Sequence, residues 1–412
     1  MTPPPLSPIQ PPSQTARARA AGRGAQEAQQ HPPRSGPRLL VDPLLTLAVI
    51  GLGAFSVMTL GAVTSEAVPG DPHYYSERQG IYLGLGLVLM LVLTRIDYAR
   101  LRHLKSWIYG ALILSILAVL GAGSSAKGAT RAISFPFFSF QASELGKVLL
   151  IVALAAIIVD RSRELRQRET TARVMLAALI PAMLVIVQPD LGSGLVYVTI
   201  GFVLLFVAGV PWKHLAALLT LGVLAITFVL VLAPAAGVQV VNRYQEERLT
   251  AFLNPSANEE NAYQQHQSKI AIGSGEKTGS PIGSSQTKNN FLPEDETDFI
   301  FAAVGEQYGF VGAALVLSLY ALLIWRTLRI LAMSKDLYGS LIAGGVVAML
   351  MFQVFVNVGM AIGIMPITGV TLPLMSYGGS SVIATLLAVG LLQSIYAQAR
   401  TAEALKGRVV RP

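Results

Sequence analysis

Long apolar runs alternate with short polar segments along the chain after residue 40. Most runs are close to the roughly 20 residues that an α-helix needs to cross the hydrocarbon core of a bilayer. The pattern predicts ten spans, at 42–64, 79–95, 106–123, 142–160, 173–188, 191–210, 214–236, 299–325, 339–362 and 381–398. It therefore indicates an all-α integral membrane protein with about ten transmembrane helices.

Two polar segments interrupt this pattern. Residues 1–40 contain nine prolines and five arginines but a single acidic residue, which is typical of a disordered basic tail. Residues 237–298 form a long external loop between the seventh and eighth spans, and its apolar patches predict that it folds back onto the mouth of the bundle. We thus expect a membrane domain over residues 41–400 and a short cytoplasmic tail over residues 401–412.

Composition supports a membrane protein and indicates its orientation. Charged residues make up only 13% of the chain, whereas a soluble domain carries about 25%. The net charge is +8, but lysine and arginine concentrate in alternate loops and in both tails, so the positive-inside rule places both termini in the cytoplasm. Nucleic-acid binding is not needed to explain this charge. The absence of cysteine excludes disulfides, thiolate metal sites and cysteine nucleophiles.

The long polar segment ends in four carboxylates within five residues, namely Glu294, Asp295, Glu296 and Asp298. Pro293 followed by acidic residues is typical of a helix N-terminus, which suffices to explain the first three acids. Asp298 is the last acid before an apolar run and is expected where water meets hydrocarbon. A carboxylate is costly there unless it is paired or used, so Asp298 is a candidate functional residue.

Three further charged residues of the predicted spans are candidates for a functional role. Glu144 and Lys147 are three residues apart on one helix and can form an ion pair. Such a pair either stabilises the packing or lines a hydrated cavity. Glu306 lies two turns beyond Asp298 and about 80° around the same helix, which would allow both to line one cavity. A polar packing contact is the alternative for Glu306.

The long polar segment also combines glycines with basic residues such as Arg243 and Arg248. Glycine lets backbone N–H groups approach an anion, and the cations neutralise it; an ordinary flexible loop is the alternative. Gly275–Gly279 lacks the residues that complete a P-loop. The five histidines show no metal-ligand spacing, so no metal site is predicted. A divalent cation is left open as a cofactor.

Two other segments are expected at the same end of the bundle. Gln188–Gly192 forms the tight turn between the fifth and sixth spans, and plain turn chemistry is one explanation for it. Residues 366–381 are rich in helix breakers yet mostly apolar. Irregular backbone at membrane depth is tolerated only inside protein or around a cavity, so this segment is expected to re-enter the bundle.

Several sequence motifs follow one another along the chain. They are QxSExxK at 141–147, QPDLG at 188–192, QSxIAIGSG at 267–275, FLPExxTDFIFA at 291–302, and NVGM with LPLMSYGGSS within 357–381. Together they resemble the SEDS family of peptidoglycan polymerases, the rod-shape, cell-division and sporulation proteins of bacteria. The resemblance covers roughly residues 40–400. The FLPE sequence and Gln286 favour the rod-shape, elongation type over the division type.

The resemblance implies that the chain polymerises lipid II, a disaccharide-pentapeptide on undecaprenyl pyrophosphate, at the outer face of the cytoplasmic membrane. The acceptor's 4-hydroxyl attacks the donor's anomeric carbon with inversion, and the lipid pyrophosphate leaves. Asp298 matches the family's essential aspartate and is the candidate catalytic base. The candidate substrate-binding residues are Lys147, Glu144, Arg243, Arg248, Gln286 and Glu306.

The resemblance also implies a partner, a class B penicillin-binding protein that supplies the transpeptidase. Its membrane helix would dock through small residues, for which Gly344, Gly345 and Gly359 are candidates. A lipid II flippase is the main alternative function, since buried charges would also serve a transport path. A scaffold for other wall enzymes is the third.

Overall fold

The computed structural model describes residues 40–65, 68, 70–126, 129–135, 137–228, 252, 259–280, 292, 294 and 296–409. These residues form eleven α-helices and a small sheet. The helices are α1 Pro43–Val63, α2 Tyr74–Arg95, α3 Lys105–Ala122, α4 Ala142–Asp160, α5 Arg168–Val187, α6 Leu191–Val207, α7 Trp212–Thr227, α8 Glu259–Ser274, α9 Ile300–Met333, α10 Leu337–Ala361 and α11 Gly379–Val409. Short 3₁₀ helices at Tyr98–Leu104 and Ser162–Glu164 precede α3 and α5.

Every helix except α8 corresponds to one of the ten predicted spans. Eight of the described helices are long and apolar enough to cross a membrane, and α6 and α7 are apolar but shorter. A helix satisfies its own backbone hydrogen bonds, which is what hydrocarbon surroundings demand. The predicted all-α membrane architecture is confirmed.

Several helix ends differ from the predicted boundaries. The apolar pattern predicted that the eighth and tenth spans end at residues 325 and 398. In the structure α9 continues to Met333 and α11 to Val409. Arginine, lysine and alanine favour helix, so the helices continue beyond their apolar portions. Residues 401–409, expected as a separate tail, are therefore part of α11. Residues 229–236 of the seventh predicted span and residues 1–39 of the basic tail lie outside the described residues.

A small antiparallel sheet between α3 and α4 was not predicted. Its strands are β1 Ser124–Ala126, β2 Ala129–Ser134 and β3 Ser139–Phe140, in the order β1-β2-β3. Ile133 pairs with Phe140, which brings the chain back to the start of α4. Strands of two to six residues with mixed polarity give no clear alternating pattern, which is why the sequence did not reveal them.

The long polar segment contains α8, which packs against α9 and α10 as the apolar patches predicted. Ser268 Oγ, for example, donates a hydrogen bond to the Ala361 carbonyl at 2.8 Å. Beyond α8 the chain lies directly on α9, where a Cβ at Gly279 would overlap the Gln307 carbonyl oxygen. At this contact α9 is broken by Gly309, whose φ of 61° and ψ of −159° are not helical.

The centre of the bundle consists of α4, α10 and α11. The most apolar windows of these helices are 78%, 72% and 78% buried, against 17% for the span that includes α3. Gly344 packs against Val207 and Gly345 against Ile151, and Gly359 is also in contact within the bundle. The prediction that these glycines face lipid and receive a partner helix is wrong, because the bundle itself uses the close approach that small residues permit.

Candidate functional site

The helix ends that carry the polar side chains meet at one end of the bundle. The N-termini of α2, α4, α6, α9 and α11 lie there with the C-termini of α1, α3, α5 and α10, because successive helices run in opposite directions. Ser380 Oγ at the start of α11, for example, accepts a hydrogen bond from the Gln141 N–H before α4 (3.0 Å). We call this the Asp298 end and the other the Arg326 end.

The described residues of the acidic run before α9, Glu294 and residues 296–299, are turn residues and not the first turn of a helix. Helix α9 begins at Ile300, and Phe299 provides no side-chain cap. Pro293 and Asp295 lie outside the described residues, but a helix that began at Pro293 would continue through residues 296–299, so that prediction is wrong. Asp298 is half-buried and precedes the helix, and neighbouring Phe299 is buried in an apolar cluster between α8, α9 and α10.

Three consecutive carbonyl groups of this turn accept hydrogen bonds from distant parts of the chain. The Tyr377 N–H donates to the Glu296 carbonyl at 2.8 Å. Ser376 Oγ donates to the Thr297 carbonyl at 2.6 Å. Asn357 Nδ2 donates to the Asp298 carbonyl at 2.8 Å. Two of these donors lie in the irregular segment before α11, whose predicted position inside the protein is confirmed by the burial of Ser376.

Glu144 and Lys147 form the predicted ion pair on α4. Lys147 Nζ lies 2.7 Å from Glu144 Oε1, and the two side chains are only 2% and 5% exposed. Both lie within the first two turns of the helix, at the Asp298 end. The pair is thus buried, and it is internal to a single helix.

Asp190 is a further buried carboxylate of this end. It caps α6 by accepting a hydrogen bond from the Ser193 N–H at 3.0 Å, and it accepts another from Ser143 Oγ at 3.0 Å. Tyr197 on α6 donates to the Ser143 carbonyl at 3.1 Å. In the sequence, turn chemistry was one explanation for Gln188–Gly192, and Asp190 was not selected as a site residue. The signal that could have identified Asp190 is the one used for Asp298, an acid directly before an apolar run.

A cavity of about 390 Å³ opens between α2, the small sheet and the start of α11. Arg78 lines it, with its guanidinium 4.1 Å from the centroid of the Tyr74 ring. The remaining lining residues are Tyr82, Ser134, Phe135, Phe138, Ser139, Gln141, Thr371, Tyr377, Gly378, Gly379, Ser380 and Ser381. A cation, hydroxyl groups and a helix N-terminus converge on one space, which suits an anion with polar substituents. Arg78 directly precedes the predicted span 79–95, and local sequence did not select it because its neighbours in the cavity come from remote segments.

The other predicted site residues are distributed as follows. Glu306 is 1% exposed on α9, between Asp298 and the break at Gly309. Neither Glu306 nor Asp298 lines the cavity beside Arg78. Among the described residues no group of three or more His, Asp or Glu side chains has the geometry of a metal site. Three predicted substrate-binding residues lie outside the described part of the chain: Arg243, Arg248 and Gln286.

The chain is similar over most of its length to known bacterial proteins. The FtsW/RodA/SpoVE family model, described as cell cycle protein, matches residues 40–401. Stage V sporulation protein E of Bacillus subtilis is 33% identical over 366 residues, which are 88% of this chain and 97% of that protein. Peptidoglycan glycosyltransferase MrdB of Escherichia coli K12 is 33% identical over 358 residues, 86% and 93% of the two chains. A probable peptidoglycan glycosyltransferase FtsW of Geobacter metallireducens is 36% identical over 363 residues, 86% and 94% of the two chains.

Solved structures of similar proteins have the same fold. A chain from a peptidoglycan synthase complex, a structure that concerns the coordination of polymerization and crosslinking, is 33% identical with a TM-score of 0.72 and covers 87% of this chain and 98% of its own. The crystal structure of the rod shape determining protein RodA from Thermus thermophilus is 32% identical with a TM-score of 0.63. The match covers 89% of this chain and 98% of that chain. The chain belongs to the FtsW/RodA/SpoVE family of multi-pass membrane proteins.

Proposed function

We propose that this chain is a peptidoglycan glycosyltransferase that joins the disaccharide units of lipid II into glycan strands. The observation that carries the proposal is the position of Asp298, a half-buried carboxylate held in a turn at the end of the bundle that also contains the Arg78 cavity. The names of the relatives MrdB and FtsW support the same reaction class. Tyr377 links the two features, since it lines the cavity while its N–H donates a hydrogen bond to the Glu296 carbonyl of the turn.

In the proposed reaction Asp298 acts as the general base. The 4-hydroxyl of the acceptor sugar loses its proton to the Asp298 carboxylate as its oxygen bonds to the anomeric carbon of the donor. The bond between that carbon and the pyrophosphate oxygen breaks, and the electron pair leaves with the lipid pyrophosphate. The anomeric carbon is attacked from the face opposite the leaving group, so its configuration inverts. Positioned proton transfer of this kind contributes about 10²- to 10⁴-fold to the rate.

The leaving pyrophosphate needs positive charge, and the Asp298 end supplies it in two places. Arg78 and the N-terminus of α11 face the cavity, where a phosphate group would be stabilised. Lys147 is roughly 9 Å along α4 from Gln141, which lines the same cavity. We propose that Lys147, oriented by Glu144, interacts with the lipid pyrophosphate or its carrier. Glu306, Arg243, Arg248 and Gln286 remain proposed substrate contacts.

The cellular setting is part of the proposal. The positive-inside rule supports placing both termini in the cytoplasm, and hence the Asp298 end on the outer face of the bacterial cytoplasmic membrane. The similarity to a peptidoglycan synthase complex supports a class B penicillin-binding protein as transpeptidase partner. We assign the chain to cell elongation from its FLPE sequence and Gln286. Relatives named for sporulation, shape and division match at 33–36% identity, so identity alone does not select among them.

The decisive experiment measures polymerisation of purified lipid II by detergent-solubilised protein, alone and with its transpeptidase partner. We expect glycan ladders from the wild type and a loss of about 100-fold or more in Asp298→Ala. Asp160→Asn at the Arg326 end is the control and is expected to polymerise normally. Glycan ladders from Asp298→Ala would instead indicate Glu296 or Glu306 as the catalytic base. No ladder from the wild type, even with the partner, would favour a lipid II flippase.

A second variant tests the role of the cavity. Arg78→Ala is expected to raise the KM for lipid II by about tenfold, because one charge-assisted contact to a phosphate is lost. Arg78→Lys should keep much of the affinity, since a point charge remains. Arg173→Ala, an exposed arginine of the Arg326 end, is the control for the loss of a positive charge. An unchanged KM in Arg78→Ala would remove the cavity from the substrate site.

A further inference from the structure

The turn that carries Asp298 is held through its backbone in an unusual way. At an ordinary helix start, the carbonyls of the first residues accept hydrogen bonds from N–H groups four residues further along the chain. Here the carbonyls of residues 296, 297 and 298 instead accept bonds from Tyr377, Ser376 and Asn357. The start of α9 is delayed to Ile300 as a result, and the three bonds fix the direction of the backbone that carries the Asp298 side chain.

The two side-chain donors are themselves fixed. Asn357 is fully buried on α10, and its amide nitrogen also donates to the Val370 carbonyl at 2.8 Å. Ser376 is 1% exposed, and its Oγ accepts a hydrogen bond from the Leu372 N–H at 2.8 Å. Each donor is therefore oriented by the irregular segment before α11, and each bridges that segment to the turn.

Apolar packing also holds the turn in place. Phe299 is buried in an apolar cluster with Ala271, Leu292, Ala302, Met360 and Ile367, which joins α8, the turn, α9 and α10. Burial of an aromatic side chain contributes more to docking than one hydrogen bond does. Loss of a single donor should therefore leave the turn in place but loosen the peptide groups on either side of Asp298, where the Phe299 N–H still donates to the Glu294 carbonyl at 3.1 Å.

We propose that Asn357 and Ser376 are positioning residues, which set the direction of the Asp298 carboxylate towards the acceptor hydroxyl. The inference rests on the proposed role of Asp298 as base. Proton transfer and attack require the reacting groups to be held within about 0.5 Å of the productive geometry. Both residues act through the Asp298 backbone and are not assigned a contact with substrate.

The first test compares two chemically identical changes at the two ends of the bundle. Ser376→Ala and Ser394→Ala each remove one buried hydroxyl that donates to a distant carbonyl, Thr297 at 2.6 Å and Ile96 at 2.7 Å respectively. We expect kcat to fall about tenfold or more in Ser376→Ala with KM unchanged, and both constants to stay unchanged in Ser394→Ala. Equal effects of the two variants on kcat, per folded molecule, would overturn the role of Ser376.

The second test uses pH. In Asn357→Asp the introduced carboxyl has nearly the shape of the amide but can donate to a carbonyl only when protonated, and then only one of the two bonds that the amide makes. The activity of this variant relative to wild type should therefore decline as pH rises. In Asn357→Leu the relative activity should be low and independent of pH. A constant ratio in Asn357→Asp, or wild-type kcat in Asn357→Leu, would overturn the role of Asn357.

A third measurement separates this inference from the proposed function. Amide hydrogen exchange over residues 296–303 should increase several-fold in Asn357→Leu and Ser376→Ala but not in Ser394→Ala, whatever reaction the protein catalyses. Inactive wild-type protein would contradict the glycosyltransferase proposal while the exchange measurement still tests the positioning of the turn. Unchanged exchange in both variants would overturn the positioning role even if the wild type polymerises lipid II.

Discussion

Each end of the bundle contains an ion pair with a buried carboxylate, and the two pairs are built differently. At the Arg326 end, Arg326 of α9 forms a salt bridge with Asp42, which is fully buried at the start of α1. Asp42 also accepts a hydrogen bond from the Leu45 N–H, and its own N–H donates to Gln393 of α11 at 2.7 Å. This pair joins three helices.

The pair at the Asp298 end is built within a single helix. Glu144 and Lys147 are three residues apart on α4, and their salt bridge is local to that helix. Burying two charges costs several kcal/mol per ion before their attraction is counted. A pair that ties three helices together has a structural explanation, whereas a buried pair within one helix is better explained by function. The comparison predicts that damage at the Arg326 end lowers stability and that damage at the Asp298 end lowers turnover.

The largest expected effect on stability is that of Arg326→Met. The substitution leaves the Asp42 carboxylate buried without its cation, so the free energy of unfolding should fall by about 3 kcal/mol. Polymerisation per folded molecule should stay normal. Denaturant unfolding in one detergent, with activity assayed on the folded fraction, measures both quantities. The comparison breaks down if Arg326→Met, once folded, loses as much activity as Asp298→Ala.

The double variant Glu144→Gln with Lys147→Met tests the other pair. Replacing both charges with groups of similar size should leave the free energy of unfolding unchanged or raise it, because the cost of burying the charges disappears. Turnover should nevertheless fall about tenfold or more, since preorganised charge is lost near the substrate. Lys147→Met alone should lower turnover and also destabilise the protein, because it leaves the Glu144 carboxylate buried without its cation. Normal turnover in the double variant would make the pair purely structural.

The smallest effect is expected from Asp97→Ala, again at the Arg326 end. Burial alone would raise the pKa of Asp97, but hydrogen bonds from the Ala99 N–H and the Gln398 amide lower it below its usual value of 3.8. The carboxylate therefore stabilises the fold above about pH 4, and this contribution is lost as the pH falls through the lowered pKa. We expect the variant to be about 1 kcal/mol less stable at neutral pH. The difference from wild type should shrink in acid, and turnover should not change.

A stability difference that stayed constant between neutral pH and about pH 3 would show that the Asp97 charge contributes nothing. Asp97→Asn is the matched control, because it keeps a capping side chain and removes only the charge. Both variants should polymerise lipid II as the wild type does, since Asp97 lies at the end of the bundle opposite Asp298.

Parts of the site followed from local sequence, and other parts did not. The salt bridge between Glu144 and Lys147 was predictable because residues three apart share one helix face. The helix predicted to start at Pro293 was wrong. The Asp298 and Thr297 carbonyls, which would continue that helix, accept hydrogen bonds from side chains 59 and 79 positions away in the chain. Arg78 was overlooked for a similar reason, since its cavity is lined by α2, the small sheet and the start of α11.

The sequence by itself determined the all-α membrane architecture, the position of the apolar spans and the family. Hydrocarbon offers no hydrogen bonds, so each span must satisfy its own backbone, and that requirement is visible in any stretch of about 20 residues. Only the tertiary structure decided which helices form the centre, where Gly344 and Gly345 pack, and how the turn at Asp298 is held. Those features depend on contacts between residues far apart in the chain, which no local pattern specifies.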